Sequence, residues 1–509
     1  MNKRAILSVY DKSGLVALGR GLAECGWELI ASGGTARALR EAGLAVVGVA
    51  EITGSPEMLG GRVKTLHPAI HAAILTRDTA ADQADLATHH IRPIDLVVCN
   101  LYPFSQTVAR PGVTLAEAVE QIDIGGVTLL RAAAKNFARV TVVCDPADYD
   151  ALLADLKAGA LDESRRRQLA LKAFAHTRDY DTAIAAYLQS DAAEAALPPA
   201  LSLNLVQVQS LRYGENPHQA AALYAADPDT GPLGGALLQG KPLSYNNLLD
   251  LDAAWQAAAA FSRPTVVIVK HLSPCGIACA DTAADAFPPA LASDPVSAFG
   301  SVIAVNRPVG TPFTEALGAA KLFVEAVVAP GFSADARAWF AAKKKNCRLV
   351  ELAGDGAARL DMRAIRGGML VQELDAGDPA GTEWRVVSRR QPTEAEWAAV
   401  RFGWKAAQHV KSNAIVFARG EATVGIGGGL PSRVDAVKLA AAKAGEQARG
   451  TVMASDAFFP FPDGVEAAAA AGVTAVIEPG GSIRDEAVIA AADRLGLALV
   501  FTGARHFRH

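Results

Sequence analysis

The sequence has no excess of positive charge. Its 49 Lys and Arg residues stand against 53 Asp and Glu residues, and its formal net charge is -4 at pH 7. Domains that bind nucleic acid usually show a clear basic excess. This balance argues against a nucleic-acid partner, although a local basic loop can still bind a small anion.

Cysteine and long apolar runs are also scarce. The six cysteines are scattered through apolar stretches, which predicts buried free thiols in a reducing cytosol. The chain begins with MNKRAILSVYDK, which lacks the apolar stretch and cleavage site of a secretory signal. No uncharged apolar run approaches the roughly 20 residues that span a membrane. We therefore expect a cytoplasmic protein without a membrane partner.

Short apolar strands alternate with helical stretches in the first part of the chain. Arg4–Val9, Glu28–Ala31, Ile94–Cys99 and Val140–Cys144 have the composition of buried strands. Helical patterns lie between them, so the sequence predicts an α/β fold with a parallel sheet and crossover connections.

The length and a proline pair predict the domain organisation. A chain of 509 residues is too long for one core. Pro198 and Pro199 follow an Ala-rich helix and favour a linker, so we predict domains at 1–199 and 200–509. Two similar α/β units in tandem are a further hypothesis for the second domain, with a division near 370–390.

Two loops in the first domain have the composition of anion sites. The run from Gly60 to Pro68 has two glycines followed by Arg62, Lys64 and Thr65, which suits a phosphate. A solvated basic turn is the alternative. About thirty residues earlier, Ser32-Gly33-Gly34-Thr35 follows a strand and opens a helix, an arrangement that directs free N–H groups and the positive helix end at an anion. Thr35 can cap that helix or bind a phosphate oxygen.

In the second domain, the apolar run Thr265–Val269 predicts a buried strand that ends in Lys270 and His271. A cation and a proton acceptor held rigidly at the end of a strand can serve catalysis near neutral pH. An ordinary surface pair at a strand end is the alternative.

Two spacings resemble metal sites only in part. His67 and His71 are four residues apart, but Pro68 intervenes and no Glu adjoins either. Cys275 and Cys279 are one residue too far apart for the PCxxC of zinc deaminases, and no His-x-Glu precedes them. We therefore predict no catalytic metal.

From Ser8 to His509, these motifs resemble the bifunctional purine-biosynthesis family that completes inosine monophosphate. The resemblance implies a methylglyoxal-synthase-like parallel-sheet domain, the cyclohydrolase, followed by a transformylase half of two cytidine-deaminase-like α/β units. It implies that a formyl group passes from 10-formyltetrahydrofolate to 5-aminoimidazole-4-carboxamide ribotide (AICAR), and that the product is cyclised with loss of water. It also implies a homodimer with shared transformylase sites, nucleotide and folate as the small-molecule partners, and leaves a bound monovalent cation open.

The resemblance also implies site residues in the first domain. The catalytic positions are Lys135, Lys64, Tyr102 and Asp123. The nucleotide-binding positions are Tyr10, Asp11, Lys12, Ser32, Gly33, Gly34, Thr35, Arg62, Val63, Lys64, Thr65, Cys99, Asn100, Asp123 and Ile124.

In the second domain, the resemblance implies that Lys270 and His271 are catalytic. The AICAR-binding positions are Arg212, Tyr213, His271, Gly300, Glu325 and Asn413, where Glu325 stands in place of the Asp of some members. The folate-binding positions are Arg433, Val434, Phe458, Asp463, Ser482, Ile483 and Arg505.

Two hypotheses from other classes remain at this point. The first domain could be a non-catalytic phosphate-binding regulatory domain, which the proton-handling set of Lys64, Tyr102, Asp123 and Lys135 disfavours. The whole chain could be a zinc deaminase, which the missing ligand motif disfavours.

Overall fold

The computed structural model describes residues 2–59, 62–190, 197–352 and 360–509. Gly60 and Gly61, which the sequence places against a ligand, and residues 192–196 of the expected linker lie outside the described residues. The chain divides into an N-terminal unit, Met1–Asn204, and a C-terminal unit, Leu205–His509. Each unit is considered by itself.

The N-terminal unit contains a five-stranded sheet in which every described pairing is parallel, in the order β3-β2-β1-β4-β5. Its strands are β1 (Arg4–Val9), β2 (Glu28–Ala31), β3 (Val46–Gly48), β4 (Leu96–Asn100) and β5 (Thr141–Val143). Its helices are α1 (Leu15–Glu24), α2 (Gly33–Glu41), α3 (Val49–Thr53), α4 (Pro68–Leu75), α5 (Ala80–Thr88), α6 (Phe104–Val108), α7 (Leu115–Glu120), α8 (Gly125–Lys135), α9 (Tyr149–Ala158) and α10 (Glu163–Ser190).

Helices cover both faces of this sheet, which explains why its strands are apolar throughout. In β1, Ile6 packs into one buried core, and Ala5 and Leu7 pack into the other. The strand order reverses between β1 and β4, and a crevice forms at the carboxyl ends of strands where the order reverses. The described part of this unit therefore presents its natural ligand position beside Val9 and Asn100.

The C-terminal unit is built on a twelve-stranded mixed sheet in the order β16-β21-β20-β19-β17-β18-β10-β9-β11-β12-β13-β8. The unit's strands are β6 (Val206–Leu211), β7 (Ala221–Ala225), β8 (Ala236–Gln239), β9 (Thr265–Lys270), β10 (Ser273–Cys279), β11 (Ser301–Val305), β12 (Val324–Ala329), β13 (Arg348–Glu351), β14 (Leu360–Ile365), β15 (Gly368–Glu373), β16 (Arg385–Val386), β17 (Ile415–Arg419), β18 (Ala422–Gly427), β19 (Val452–Ser455), β20 (Ala475–Glu478) and β21 (Ala498–Phe501). Its helices are α11 (Tyr245–Ala259), α12 (Ala283–Ser293), α13 (Thr311–Ala319), α14 (Ala334–Lys343), α15 (Glu394–Ala407), α16 (Arg433–Ala444), α17 (Asp463–Ala470) and α18 (Asp485–Leu495).

This sheet is made of two halves with the same topology. The order β8-β13-β12-β11-β9-β10 in one half matches β16-β21-β20-β19-β17-β18 in the other, and antiparallel pairing of β10 with β18 joins them. The chain passes from the first half to the second between Glu351 and Arg385, through the β14–β15 hairpin. The two halves are an internal repeat.

A short sequence match accompanies the repeat. The end of β12 and its turn, Val327 to Gly331, has the sequence VVAPG, and the end of β20 and its turn, Val476 to Gly480, has VIEPG. Leu352 N donates to Ala329 O (3.0 Å), and Thr502 N donates to Glu478 O (2.9 Å), so the two positions are equivalent in register as well.

The pairing directions place the end of β9, the start of β17 and the end of β19 at one edge of the sheet. Strand β9 runs antiparallel to β11, and β17 runs antiparallel to β19. Followed through β10 and β18, the alternation brings the end of β9 at Lys270 to the same edge as the start of β17 at Ile415 and the end of β19 at Ser455. Three strand spacings, about 14 Å, separate β9 from β17.

Across the described ranges, no helix combines the length and the apolar character needed to cross a membrane.

Candidate active sites

Asn100 organises the ligand edge of the N-terminal unit. It ends β4, and its Oδ1 accepts hydrogen bonds from the N–H groups of Tyr10 (2.7 Å) and Asp11 (2.9 Å), while its Nδ2 donates to Asp11 O (2.9 Å). The Tyr10 ring packs edge-on against Tyr102, with 5.6 Å between centroids. One buried amide therefore fixes the turn after β1 against the end of β4.

The start of α2 has the glycines and the helix N-terminus that the sequence predicts for an anion site, but Thr35 does not face that site. The helix begins at Gly33, so both glycines lie in its first turn, and two lysine Nζ atoms lie close to them. A Cβ on Gly33 would stand 3.1 Å from Lys64 Nζ, and one on Gly34 would stand 3.7 Å from Lys12 Nζ. The positive end of a helix and two ammonium groups together favour an anion such as phosphate.

Thr35 does not take either role expected of it within this chain. Its side chain is buried, and its Oγ1 is bonded to the backbone N and O of Val9, both at 3.1 Å. Its hydroxyl ties α2 to the end of β1, so it neither caps the helix nor faces a phosphate. Ser32 occupies the N-cap position instead, with no hydrogen bond from its side chain to the described helix.

Asp123 places a half-buried carboxyl group at this edge of the sheet. Its Oδ1 accepts from Gly126 N (2.7 Å), and its own N–H donates to the Tyr180 hydroxyl (2.9 Å), which in turn donates to Gln121 O (2.7 Å). Burial raises the pKa of Asp123, although hydrogen bonds from backbone N–H groups oppose the shift. A Cβ on Gly126 would lie 2.6 Å from Asp123 Oδ2, so glycine is required for this close approach.

The residues of the basic loop, from Arg62 to Thr65, differ in their partners at this edge. Arg62, expected to hold a phosphate, pairs instead with Glu120, and both side chains are exposed, so the pair adds little stability. Lys64 Nζ lies 3.4 Å from Glu57 Oε2. Thr65 is buried, and its Oγ1 would be 3.2 Å from a Cβ on Gly125. Val63 pairs with Met58 in an isolated bridge.

Cys99 and Ile124 differ in solvent exposure. The Cys99 side chain is buried and its Sγ donates to Gly126 O (3.7 Å). Burial raises the pKa of its thiol well above the usual value. The buried Cys99 therefore offers a ligand its backbone, whereas the Ile124 side chain is exposed.

The structure does not bring Lys135 to Asp123 within one chain. Lys135 is the last residue of α8, and ten residues of helix from Gly125 correspond to about 15 Å. The following Asn136 Nδ2 donates to Ile74 O (2.7 Å), and Arg139 pairs with Asp95 (3.0 Å) just before β4 begins. The exposed Lys135 thus lies towards the amino ends of the strands, opposite the site edge.

In the C-terminal unit, Lys270 and His271 lie at the turn of the β9–β10 hairpin. His271 (φ 55°) and Leu272 (φ 62°) are its two central residues, since Lys270 pairs with Ser273. Asp250 holds this turn, accepting from Leu272 N (2.7 Å) and His271 N (3.4 Å), and Lys270 Nζ donates to Phe299 O (2.7 Å). Asp250 lies within α11, and no motif in the sequence marks it as part of this turn.

This geometry corrects the expectation of a rigidly held imidazole. The backbone of His271 is fixed, but its exposed side chain has no hydrogen-bond partner among the described residues. Nearby, Gly300 (φ 76°) donates its N–H to Phe323 O (2.8 Å), and the Phe299 and Phe323 rings pack at 5.4 Å.

Two other AICAR positions have internal partners. The Glu325 carboxylate forms an ion pair with the buried Arg348 through Oε2. Arg212 and Tyr213 follow β6, and the guanidinium of Arg212 lies 5.3 Å from the centre of the Tyr213 ring.

Asn413 and Arg433, predicted to bind different ligands, contact each other. Arg433 Nη2 donates to Asn413 Oδ1 (2.6 Å), and Nη1 donates to Ser455 Oγ (2.8 Å) and to Asp456 Oδ1 (2.5 Å). Arg433 is largely buried and Asp456 entirely so. This cluster, Asn413–Arg433–Asp456, joins the starts of β17 and α16 to the end of β19.

Each of the remaining predicted folate positions follows the end of one of the strands β18 to β21 at this sheet edge. Val434 follows Arg433 in α16, the Phe458 ring is about one-third exposed, and Asp463 begins α17, accepting from Gly464 N (2.8 Å). Ser482 N donates to Asp485 Oδ1 (2.9 Å), and Ile483 is fully exposed. The Arg505 guanidinium lies 4.7 Å from the Phe507 ring centre.

The partial metal motifs have other roles. Burial raises the pKa of Cys275 to about 12 and that of Cys279 to about 11, which favours neutral thiols over thiolate ligands. His67 Nδ1 accepts from Ala69 N (3.2 Å) and caps α4. In the described ranges, no group of three His, Cys, Asp or Glu side chains is arranged to hold a metal ion.

Comparisons with known proteins agree with this geometry. Residues 14–128 match the family model "MGS-like domain", and residues 133–443 match "AICARFT/IMPCHase bienzyme". The chain is 54% identical to the "Bifunctional purine biosynthesis protein PurH" of Chloroflexus aurantiacus, over 99% of this chain and 98% of the relative. It is 51% identical to the protein of that name from Desulfitobacterium hafniense over the whole of both chains, and 52% identical to that from Cyanothece sp. over 99% of both. The chain therefore belongs to the bifunctional AICARFT/IMPCHase family of purine biosynthesis, and it is both an AICAR formyltransferase and an inosine monophosphate cyclohydrolase.

Proposed function

We propose that the two activities are divided between the two units, with cyclisation in the N-terminal unit and formyl transfer in the C-terminal unit. The main support for this division is the set of charged groups at the ligand edge of the N-terminal unit. Two lysines at the start of α2 and the half-buried Asp123 supply an anion site and a proton-handling group on one sheet edge. The Lys270-His271 turn occupies a separate sheet in the other unit.

In cyclisation, the carboxamide nitrogen attacks the formyl carbon and water leaves. Lys12 and Lys64, with the start of α2, bind the phosphate of the formylated ribotide. Asp123, with its pKa raised by burial, takes a proton from the attacking nitrogen. Tyr102 completes proton transfer to the leaving oxygen. Both reacting groups belong to one molecule, so orientation supplies much of the rate.

In formyl transfer, the ribotide amine attacks the formyl carbon of a folate donor, which we propose to be 10-formyltetrahydrofolate. The amine is a weak nucleophile because its lone pair is delocalised into the imidazole. His271 accepts its proton during attack, and Lys270 stabilises the charge that develops on the transferring group. The bond from the formyl carbon to the folate nitrogen then breaks, and that nitrogen takes up the proton as tetrahydrofolate leaves. Folate is the carrier of the formyl group, and the other proposed folate residues follow the ends of β18 to β21, at the same sheet edge as the Asn413–Arg433–Asp456 cluster.

We further propose that the protein works as a homodimer in the cytoplasm. Two features support a dimer. His271 and the start of β17 stand about 14 Å apart along one edge, so a shared site can gather groups from two copies. Lys135 lies about 15 Å from the Asp123 end of α8, so we infer that it acts in the site of a second copy. Binding of a monovalent cation stays a prediction.

A purely regulatory N-terminal unit is the second candidate, because phosphate binding alone explains the two lysines. The desolvated carboxyl of Asp123 favours catalysis, since an anion site has no use for an acidic side chain.

One experiment tests the whole proposal. The protein is incubated with AICAR and 10-formyltetrahydrofolate, and then separately with formylated AICAR, and the products are identified. We expect inosine monophosphate in both incubations. Formylated AICAR accumulating in the first, with no reaction in the second, would leave the N-terminal unit without its proposed role.

A fragment of residues 1–204 is expected to fold alone and to retain cyclisation. It contains its own parallel sheet with buried cores on both faces. Thermal unfolding by circular dichroism should show one cooperative transition, and formylated AICAR should be converted with no formyl-transfer activity. A folded, dimeric fragment that leaves formylated AICAR unchanged would contradict the division of labour.

A further inference from the structure

A buried acid lies at the end of strand β20. The Glu478 side chain has no solvent exposure, and it shares a strand face with Val476, which packs in the core beneath α16, α17 and α18. Its Oε2 accepts a hydrogen bond from Phe459 N (2.6 Å). Its Oε1 is buried without a hydrogen-bond partner among the described residues.

The internal repeat shows that the fold does not require this acid. The equivalent position in the first half is Ala329, at the end of β12, and the same Pro-Gly turn follows both residues. Val327 and Ala329 pack into a wholly apolar core on the corresponding face. Burying a carboxyl group with one unsatisfied oxygen costs stability, so its presence in one half alone points to a role in function.

Glu478 connects two segments that carry proposed folate positions. Through Phe459 N it holds the residue next to Phe458, whose ring is partly exposed. Its own chain continues through the Pro-Gly turn to Gly481 and Ser482, whose N–H groups donate to Asp485 Oδ2 (2.8 Å) and Oδ1 (2.9 Å). A single side chain thus lies beneath both surface segments.

We propose that Glu478 is a positioning residue for the formyl-folate donor, which fixes the Phe458–Phe459 segment through the Phe459 N–H and so places the Phe458 ring. This inference rests on the proposed folate side of the C-terminal unit. Glu478 itself does not reach the surface, so it acts through the backbone that it holds.

The surroundings of Glu478 make this role sensitive to pH. Burial, together with the charge of Asp485, raises the pKa of Glu478 to about 8, while Phe459 N and Arg433 oppose the shift. Arg433 is paired with Asp456 at the end of β19, and Asp463 begins α17. On the β21 side, Phe501 and Thr502 offer no charge.

The sign of the pH effect follows from these values. The unfolded chain ionises Glu478 near 4.5 and the folded chain near 8, so folding takes up a proton between these values. Stability therefore falls as pH rises from about 4.5 to about 8 and then levels off. Above about pH 8 the carboxylate is charged. Burial disfavours this charge by more than the Phe459 N–H stabilises it, so the drive to hydrate the carboxylate strains the Phe458–Phe459 segment.

The experiment compares Glu478→Ala and Glu478→Gln with the wild-type protein in formyl transfer. KM for 10-formyltetrahydrofolate is measured by varying its concentration, at several pH values from about 7 to about 9. Alanine removes the acceptor for a buried N–H, so KM for the donor should rise about fivefold to 100-fold while kcat stays within about twofold. Glutamine keeps an acceptor oxygen and cannot ionise, so it should restore KM. The wild-type KM should rise through about pH 8, and that of the glutamine variant should not.

Glu351→Gln is the matched control, since Glu351 also ends a strand, in the first half of the sheet. It should leave KM and its pH dependence as in the wild type. An unchanged KM in folded Glu478→Ala, or identical pH profiles for wild type and Glu478→Gln, would overturn the positioning role. If the alanine variant does not fold, the glutamine profile alone decides. A wild-type protein without formyl transfer would instead contradict the proposed function, so the two failures are distinguishable.

Discussion

Replacing His271 by alanine is expected to lower kcat for formyl transfer by about 10²- to 10⁴-fold, the usual contribution of a general base. The imidazole is the proposed proton acceptor at the turn of the β9–β10 hairpin, where His271 follows Lys270 in the chain. Cyclisation of supplied formylated AICAR should be unchanged, because we propose that this reaction takes place in the other unit. Steady-state kinetics of both reactions on the same preparation measure the effect.

The left-handed backbone of His271 determines the best control variants. At φ 55°, alanine strains the turn, whereas asparagine tolerates this region and also cannot accept the proton. His271→Asn should therefore be as impaired as His271→Ala, and His271→Gln should not recover kcat. Leu272→Ala changes the other central residue of the turn, at φ 62°, without touching the proposed base, and it should stay close to wild type. A near-normal kcat in the asparagine or glutamine variant would end the general-base assignment.

Local pattern predicted the elements well. The apolar run at Arg4–Val9 forms β1, and Thr265–Val269 forms β9, which extends by one residue to Lys270. Ser244 caps α11, and its side chain accepts from Asn247 N. Such features depend on neighbours within a few residues, and propensity and capping describe these directly. The match to the MGS-like family model confirms the predicted fold of the first unit, while the cytidine-deaminase-like character of the second stays a prediction.

Long-range partners explain what the sequence did not reveal. Thr35 was expected at a ligand, but it bonds the backbone of Val9, 26 residues away. Arg433 lies 20 residues from Asn413 and 23 from Asp456, and only the arrangement of β17, β19 and α16 brings the three together. The repeat is difficult to detect in the sequence because its halves share topology but little sequence, with three identical residues in the five-residue segments VVAPG and VIEPG.

Lys135 shows the limit of spacing as a guide. Lys135 is the last residue of α8. Spacing along the chain does not give the direction of that helix, which runs from the site edge towards the amino ends of the strands and so carries Lys135 away from Asp123. If Lys135 acts in cyclisation, as we propose, it acts in the site of another copy of the chain.

Loss of cyclisation in Lys135→Ala, and its recovery in a mixed dimer, is the second large effect expected. Lys135→Ala and Lys64→Ala should each abolish cyclisation and leave formyl transfer unchanged, which confirms that the variants fold. When the two variants are co-expressed with different affinity tags, one site of each purified heterodimer has both lysines intact if Lys135 acts across the interface. That heterodimer should show about half of the wild-type activity. Lys64→Ala paired with Asp123→Asn is the matched control, because both residues belong to the same chain's site and no intact site can form. Recovery in the control, or none in the Lys64–Lys135 heterodimer, would contradict a lysine supplied by the second copy.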